Sequence, residues 1–140
     1  MTLSYGSRFT GAGFADAGMR DSGLVDVRWG IEYDPRPDHT ARSMRIADMY
    51  ERNFGAHMIR QPVWDIDPRT IEPVDVLWDS PVCKEFSAAK QGGTEGWADR
   101  ESARSSCDFL RVIRPKVYLL ENVRGYTHSR SLASILECLR

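Results

Sequence analysis

Val25-Asp26-Val27-Arg28-Trp29-Gly30-Ile31-Glu32-Tyr33 decides how this chain is built. Val25, Val27, Trp29, Ile31 and Tyr33 alternate with other residues, which is the period of a strand, and the stretch ends on an acid. Upstream, Ala12 to Met19 follows a glycine turn and reads as a helix, preceded by a weaker strand from Tyr5 to Phe9. Downstream, Ile46, Met49, Tyr50, Asn53 and Phe54 keep helical spacing, and a strand is expected around Met58 to Val63. Val74-Asp75-Val76-Leu77-Trp78 is a strand stopped by Ser80-Pro81. A helix starting near Glu101 closes on Phe109, Leu110 and Ile113. Val117-Tyr118-Leu119-Leu120 is a strand entered by Pro115. Ser131 is expected to cap a last helix carrying Leu132, Ile135, Leu136 and Leu139. Strands alternating with helices predict an α/β fold, an open, mainly parallel sheet with helices on both faces.

The composition fits that reading and excludes others. Of 140 residues, 41% are hydrophobic and 28% charged, a globular balance. No apolar run approaches the ~18 residues of a membrane span. Met1-Thr2-Leu3-Ser4-Tyr5-Gly6 has neither the basic cap nor the apolar stretch of a secretory signal. Cys83, Cys107 and Cys138 are odd in number and widely spaced, and read as reduced thiols of a cytoplasmic protein. Neither they nor His39, His57 and His128 show metal-ligand spacing, so no metal is expected. The net charge is −1, but residues 100–140 carry eight Lys or Arg against four Asp or Glu. That excess suits a solvated helix face or a phosphate-facing surface. At Leu139-Arg140 the last helix is still periodic, which fits either a fraying end or a chain that is truncated or split.

In an open parallel sheet, ligands bind beyond the carboxyl ends of the strands. There the predicted strands deliver Phe9-Thr10-Gly11-Ala12-Gly13, Glu32-Tyr33-Asp34, Trp64-Asp65-Ile66-Asp67, Ser80-Pro81-Val82-Cys83 and Glu121-Asn122-Val123. Gly11 and Gly13 allow a tight turn and close approach to a ligand, although such pairs also make ordinary turns. Glu32 is placed to accept from ribose hydroxyls, or is a solvated loop acid. Asp65 could accept from an adenine amino group or cap a turn. Cys83 sits after Pro81 in a loop that can expose a thiol, where the alternative is a small buried hydrophobe. Glu121 ends an apolar strand. It is either an acid held for proton work or a carboxylate bonded to its neighbours.

In this order, Phe9-x-Gly11-x-Gly13, Glu32, Asp65-Ile66, Ser80-Pro81-Val82-Cys83-Lys84-Glu85-Phe86-Ser87 and Glu121-Asn122-Val123 resemble the DNA cytosine-5 methyltransferases. The resemblance implies a Rossmann-like, S-adenosylmethionine-dependent methyltransferase sheet, incomplete at its C-terminal side. Residues 1–140 would be the N-terminal part of the catalytic domain, without a target-recognition domain. It implies Cys83 as the nucleophile on carbon 6 of cytosine and Glu121 as the acid at ring nitrogen 3. Phe9, Gly11, Gly13, Glu32, Tyr33, Asp65 and Ile66 would bind S-adenosylmethionine, and Lys84, Ser87 and Asn122 would face DNA. Gln91 to Gly96 lies where the family has a mobile loop. The departures are Val82 where the family usually has proline, Lys84 where it often has glutamine, and Phe14 for a third glycine. The implied partners are DNA and a second polypeptide carrying the remaining motifs. The implied setting is a prokaryotic or phage cytoplasm. The alternatives are a non-catalytic cofactor-binding or regulatory module and an RNA cytosine-5 methyltransferase fragment.

Overall fold

The computed structural model describes residues 2–32, 40–55, 57–86 and 94–140. Among the described residues five strands form one sheet: β1 (Leu3–Arg8), β2 (Val25–Ile31), β3 (Met58–Ile59), β4 (Val76–Asp79) and β5 (Val117–Leu120). Every pairing is parallel and the order is β3-β2-β1-β4-β5. β1 is therefore central, and the winding reverses between β1 and β4, the point where doubly wound sheets open a crevice.

Helices α1 (Phe14–Asp21), α2 (Thr40–Phe54), α3 (Trp97–Ile113) and α4 (Arg130–Cys138) complete the fold. On one face Tyr5, Val25, Val27 and Val76 pack against Met19 of α1 and Phe54 of α2. On the other, Trp29, Ile31 and Leu77 pack with Phe109 and Ile113 of α3. The α/β architecture with helices on both faces is thus as the residue pattern predicts. α4 does not reach the central strands. It rests on α3 through Ile135 against Ala103, Cys107 and Leu110.

Three local expectations change. The strand expected over Met58 to Val63 shrinks to Met58–Ile59, because Pro62 starts a turn in which the Asp65 N–H bonds the Pro62 carbonyl at 2.9 Å. α3 begins at Trp97 rather than near Glu101, since Asp99 reaches back to the Gly96 N–H at 2.7 Å and satisfies a free donor. The cap of α4 is Ser129, whose hydroxyl accepts from the Leu132 N–H at 2.9 Å, and not Ser131. Ser131 is buried inside the first turn, its own N–H bound to Glu95 at 2.8 Å.

Candidate active site

Register places the site. Arg8 pairs with Ile31 on one side and Asp79 on the other, and Asp79 pairs with Leu120. These four residues end their strands in one line across the sheet, so Phe9, Glu32, Ser80 and Glu121, the next residue of each, emerge side by side. Backbone bonds extend the ladder to this point. The Thr10 N–H donates to the Ile31 carbonyl at 3.2 Å, the Ser80 N–H to the Arg8 carbonyl at 3.3 Å and the Glu121 N–H to the Asp79 carbonyl at 2.9 Å.

The loop after β1 is shaped by left-handed backbone. Phe9 (φ 53°), Gly11 (φ 57°) and Gly13 (φ 85°) all have positive φ, which for an aromatic residue is a strained state. At Gly13 a Cβ would meet the Phe54 ring at 2.5 Å, so close packing requires glycine. At Gly11 a Cβ would meet nothing within 4 Å, and the backbone there faces open space. Beside that space Glu32 accepts from the Gly11 N–H at 3.0 Å. The turn is held from beneath by Asp16, fully buried in the first turn of α1. It accepts from the hydroxyls of Thr10 (2.8 Å), Ser7 (2.7 Å) and Tyr5 (2.8 Å).

Asp65 is exposed in the segment after β3, in a hollow that it lines together with Arg104 and Asp108 of α3, whereas Ile66 is buried among Trp29, Val63 and Phe109. The open backbone at Gly11 and the adjacent Glu32 carboxylate leave room for a ligand with hydroxyl donors. Tyr33 and Ser87 lie outside the described residues, as does the Gln91 to Gly93 part of the expected loop.

Cys83 follows Pro81 and precedes a short 3-10 helix, Lys84–Phe86, which is tied back by a 3.0 Å bond from the Phe86 N–H to the Cys83 carbonyl. Its side chain is half-buried. Burial raises the thiol above its ordinary value, and the Glu121 carboxylate and, more weakly, Asp99 raise it further, opposed by the Val123 N–H. The resting form at neutral pH is therefore the thiol. Cys107 is a different case, pushed up to about 12 by burial and by neighbouring Cys138, and it is spent in the α3–α4 contact.

The exposed Glu121 carboxylate accepts from the Ser80 hydroxyl at 2.6 Å. Asn122 joins the same two loops, its amide donating to the Pro81 carbonyl at 3.0 Å and its oxygen accepting from the Val123 N–H at 2.9 Å. Lys84 is exposed at the mouth. Next to it, Phe86 packs edge-on against buried Tyr126, ring centroids 5.4 Å apart. Beyond Phe86 opens a cleft of about 560 Å³ whose lining includes Arg100, His128 and Arg130.

The structure thus brings Gly11, Glu32, Cys83, Glu121 and Asn122 to adjoining loops. The residue pattern did not single out Asp16 or the buried charges Arg8 and Asp79, and it gave Ser80 only as part of the stretch that delivers Cys83. A charge ending an otherwise apolar or small-residue strand was the available signal. Among the described residues no group of His, Cys, Asp and Glu could hold a metal, and no helix is long and apolar enough to cross a membrane.

Comparison with known proteins gives the family by sequence and the fold by structure. Residues 3–140 match the family described as C-5 cytosine-specific DNA methylase. The type II methyltransferase M.Bsp6I of Bacillus sp. (strain RFL6) is 29% identical, with 98% of this chain and 42% of that protein covered. The type II methyltransferase M.FnuDI of Fusobacterium nucleatum is 26% identical, covering 96% and 36%. Among solved structures, the S. pombe Dnmt2 methyltransferase superposes with a TM-score of 0.74 at 17% identity, over 99% of this chain and 41% of that one. TrmN from Thermus thermophilus follows with 0.55 at 16% identity, covering 99% and 36%. The chain thus spans about two-fifths of these relatives.

Proposed function

This chain belongs to the C-5 cytosine-specific DNA methylases, and on that premise we propose that it carries the covalent chemistry of cytosine-5 methylation in DNA. The observation that supports this reading is the tie between the loops of Cys83 and Glu121, 38 residues apart in sequence: Glu121 accepts from the Ser80 hydroxyl at 2.6 Å and Asn122 donates to the Pro81 carbonyl at 3.0 Å.

S-adenosylmethionine, when bound, supplies the electrophilic methyl group. Phe9, Gly11, Gly13 and Glu32 would hold the adenosyl part at the left-handed turn, Glu32 as the acceptor for ribose hydroxyls, and Asp65 would accept from its amino group. Tyr33 and Ile66 belong to the same proposed pocket, Ile66 through its backbone, since its side chain is buried. The target cytosine has carbon 6 hidden in a duplex, so the base must leave the stack. Cys83, a thiol at rest, first gives its proton to a base, and the resulting thiolate forms a bond to carbon 6 as the carbon 5–carbon 6 double bond opens. Glu121, as the acid, shares a proton with ring nitrogen 3 and absorbs the charge that develops there. The ring electrons thus reach carbon 5, which would take the methyl group as the methyl–sulfur bond of the sulfonium breaks and leaves a neutral thioether. Loss of the carbon 5 proton to a base returns an electron pair to the ring, and the sulfur–carbon bond breaks to release Cys83. Lys84, Ser87 and Asn122 serve the DNA side, Asn122 by holding the Pro81 carbonyl and so the nucleophile loop.

We assign residues 1–140 to the N-terminal part of a catalytic domain that works with the rest of the family's length. β5 supports this, being one of the two edge strands among the described residues and exposed at Val117, an edge suited to further pairing. The bacterial relatives support a cytoplasmic setting. The test is covalent trapping. In the complemented enzyme, DNA bearing a fluorinated cytosine should crosslink to Cys83 in the presence of S-adenosylmethionine. Cys83→Ser should abolish both crosslink and methyl transfer. Full transfer by the serine variant defeats the mechanism.

A further inference from the structure

We propose that Arg8 is the positioning residue of this site, a buried guanidinium that holds the segments bearing the nucleophile, the acid and the cofactor contacts in one mutual arrangement. The proposal rests on the reaction assigned above and extends it to a side chain that touches neither substrate nor cofactor. Arg8 and Asp79 are both fully buried, and Arg8 Nη1 lies 2.9 Å from Asp79 Oδ2. The same carboxylate oxygen accepts from the Tyr118 hydroxyl at 2.8 Å. Burial and Asp79 push the phenol well above its ordinary range, so it stays a donor. Arg8 Nη2 donates to Ser105 Oγ at 2.7 Å, and that hydroxyl donates to the Val63 carbonyl at 3.0 Å. Arg8 Nη1 also reaches Ser106 Oγ at 3.0 Å. Stacking completes the seat, the guanidinium carbon standing 4.3 Å from the Phe109 ring centroid and 5.3 Å from that of Phe9.

Each contact leads to a different part of the site. Arg8 itself precedes Phe9 and the left-handed turn. Asp79 precedes Ser80 and the loop of Cys83. Tyr118 stands on β5, three residues before Glu121, and Val63 begins the segment that delivers Asp65. One planar cation thus spans segments far apart in sequence, and its fork sets their spacing in a way that an ammonium on a flexible stem does not. An apolar trio of similar volume would serve stability as well or better, since buried ion pairs rarely improve on hydrophobic packing. The charged arrangement is therefore explained by the alignment it enforces at the rim.

The test uses the complemented, active enzyme with three variants: Arg8→Lys, the apolar triple Arg8→Met/Asp79→Leu/Tyr118→Phe, and Tyr118→Phe alone. The measurements are thermal unfolding, kcat and KM for methyl transfer, calorimetric affinity for S-adenosylmethionine, and the pH profile of Cys83 alkylation read by mass spectrometry. The triple variant should melt cooperatively yet lose roughly 100-fold in kcat, the cost of an ångström-scale misplacement, with KM for DNA little changed. Arg8→Lys, which keeps the charge but loses the fork, should show a loss in kcat of similar size. Tyr118→Phe should lose about tenfold in kcat, the loss of one bond to a charged group, and shift the alkylation profile. A folded triple variant with kcat, cofactor affinity and alkylation profile unchanged overturns the proposal. Should the triple variant fail to fold, unchanged kcat and alkylation in Tyr118→Phe overturns it equally. A Cys83→Ser control that keeps full activity defeats the assigned reaction instead. The cofactor affinity and the alkylation profile then still decide whether Arg8 aligns the rim.

Discussion

Ser80 donates a 2.6 Å hydrogen bond to Glu121, joining the loop of the nucleophile to the proposed acid across 41 residues of sequence. The bond holds the carboxylate near the Cys83 thiol, where its charge helps keep the sulfur protonated.

That proximity predicts two opposite effects of one substitution. Glu121→Gln removes the negative neighbour, so the Cys83 pKa falls and alkylation at a fixed pH near neutrality speeds up. Methyl transfer should fall by roughly 100-fold or more, as for other positioned acids. Mass spectrometry of alkylated Cys83 reads the first effect and labelled methyl transfer the second. Alkylation that stays as slow as in the parent would mean that Glu121 does not face the thiol.

Glu32 should matter to the cofactor. Glu32→Ala removes the partner of the Gly11 N–H as well as the proposed acceptor for ribose hydroxyls. A hydrogen bond to a charged group is worth about 1.5–3 kcal/mol. Calorimetry on the complemented enzyme should show S-adenosylmethionine binding weakened by roughly tenfold or more. Asp65→Ala, at an exposed position, should cost less. Unchanged affinity in both variants would remove the adenosyl assignment.

The cleft beside Phe86 should meet the DNA backbone. Arg100 and Arg130 line it, and Arg100 Nη1 is held by the Glu95 carbonyl at 2.8 Å. Arg100→Gln and Arg130→Gln should each weaken binding to DNA of any sequence and lower the salt slope by about one. Fluorescence titrations at several salt concentrations check this, and a slope unchanged in the double variant would place the phosphates elsewhere.

Asp75 should leave a signature in acid. Lys116 Nζ at 2.7 Å, together with Ser4, whose N–H and hydroxyl donate at 2.9 and 2.8 Å, holds this carboxyl at about 2. An unfolded aspartate titrates near ~3.9. A carboxyl depressed in the folded state contributes stability that is complete above the unfolded value and is lost as pH falls toward the folded one. Melting temperatures should therefore drop between pH 5 and about 2, and Asp75→Asn should flatten that drop. An identical pH dependence in the asparagine variant would show that the ion pair does not persist in solution.

The alternation of Val25, Val27, Trp29 and Ile31, the glycine turn before α1 and the stops at Ser80-Pro81 and Pro115 were enough to predict an open parallel α/β sheet. These are local signals, because side-chain periodicity and backbone sterics act within a few residues. They also name the residues at the strand ends, since those are simply the next along the chain. Tertiary structure alone decided which ends stand together, through the order β3-β2-β1-β4-β5 and the register of Arg8 with Ile31 and Asp79. It alone showed that Asp16 is buried beneath the turn by three hydroxyls, that Ile66 turns into the core and that Ser129 rather than Ser131 caps α4. The physical reason lies in partnership at a distance. Arg8 can be buried because Asp79, 71 residues away, faces it at 2.9 Å, and a single charged letter in a strand carries no information about whether such a partner will arrive.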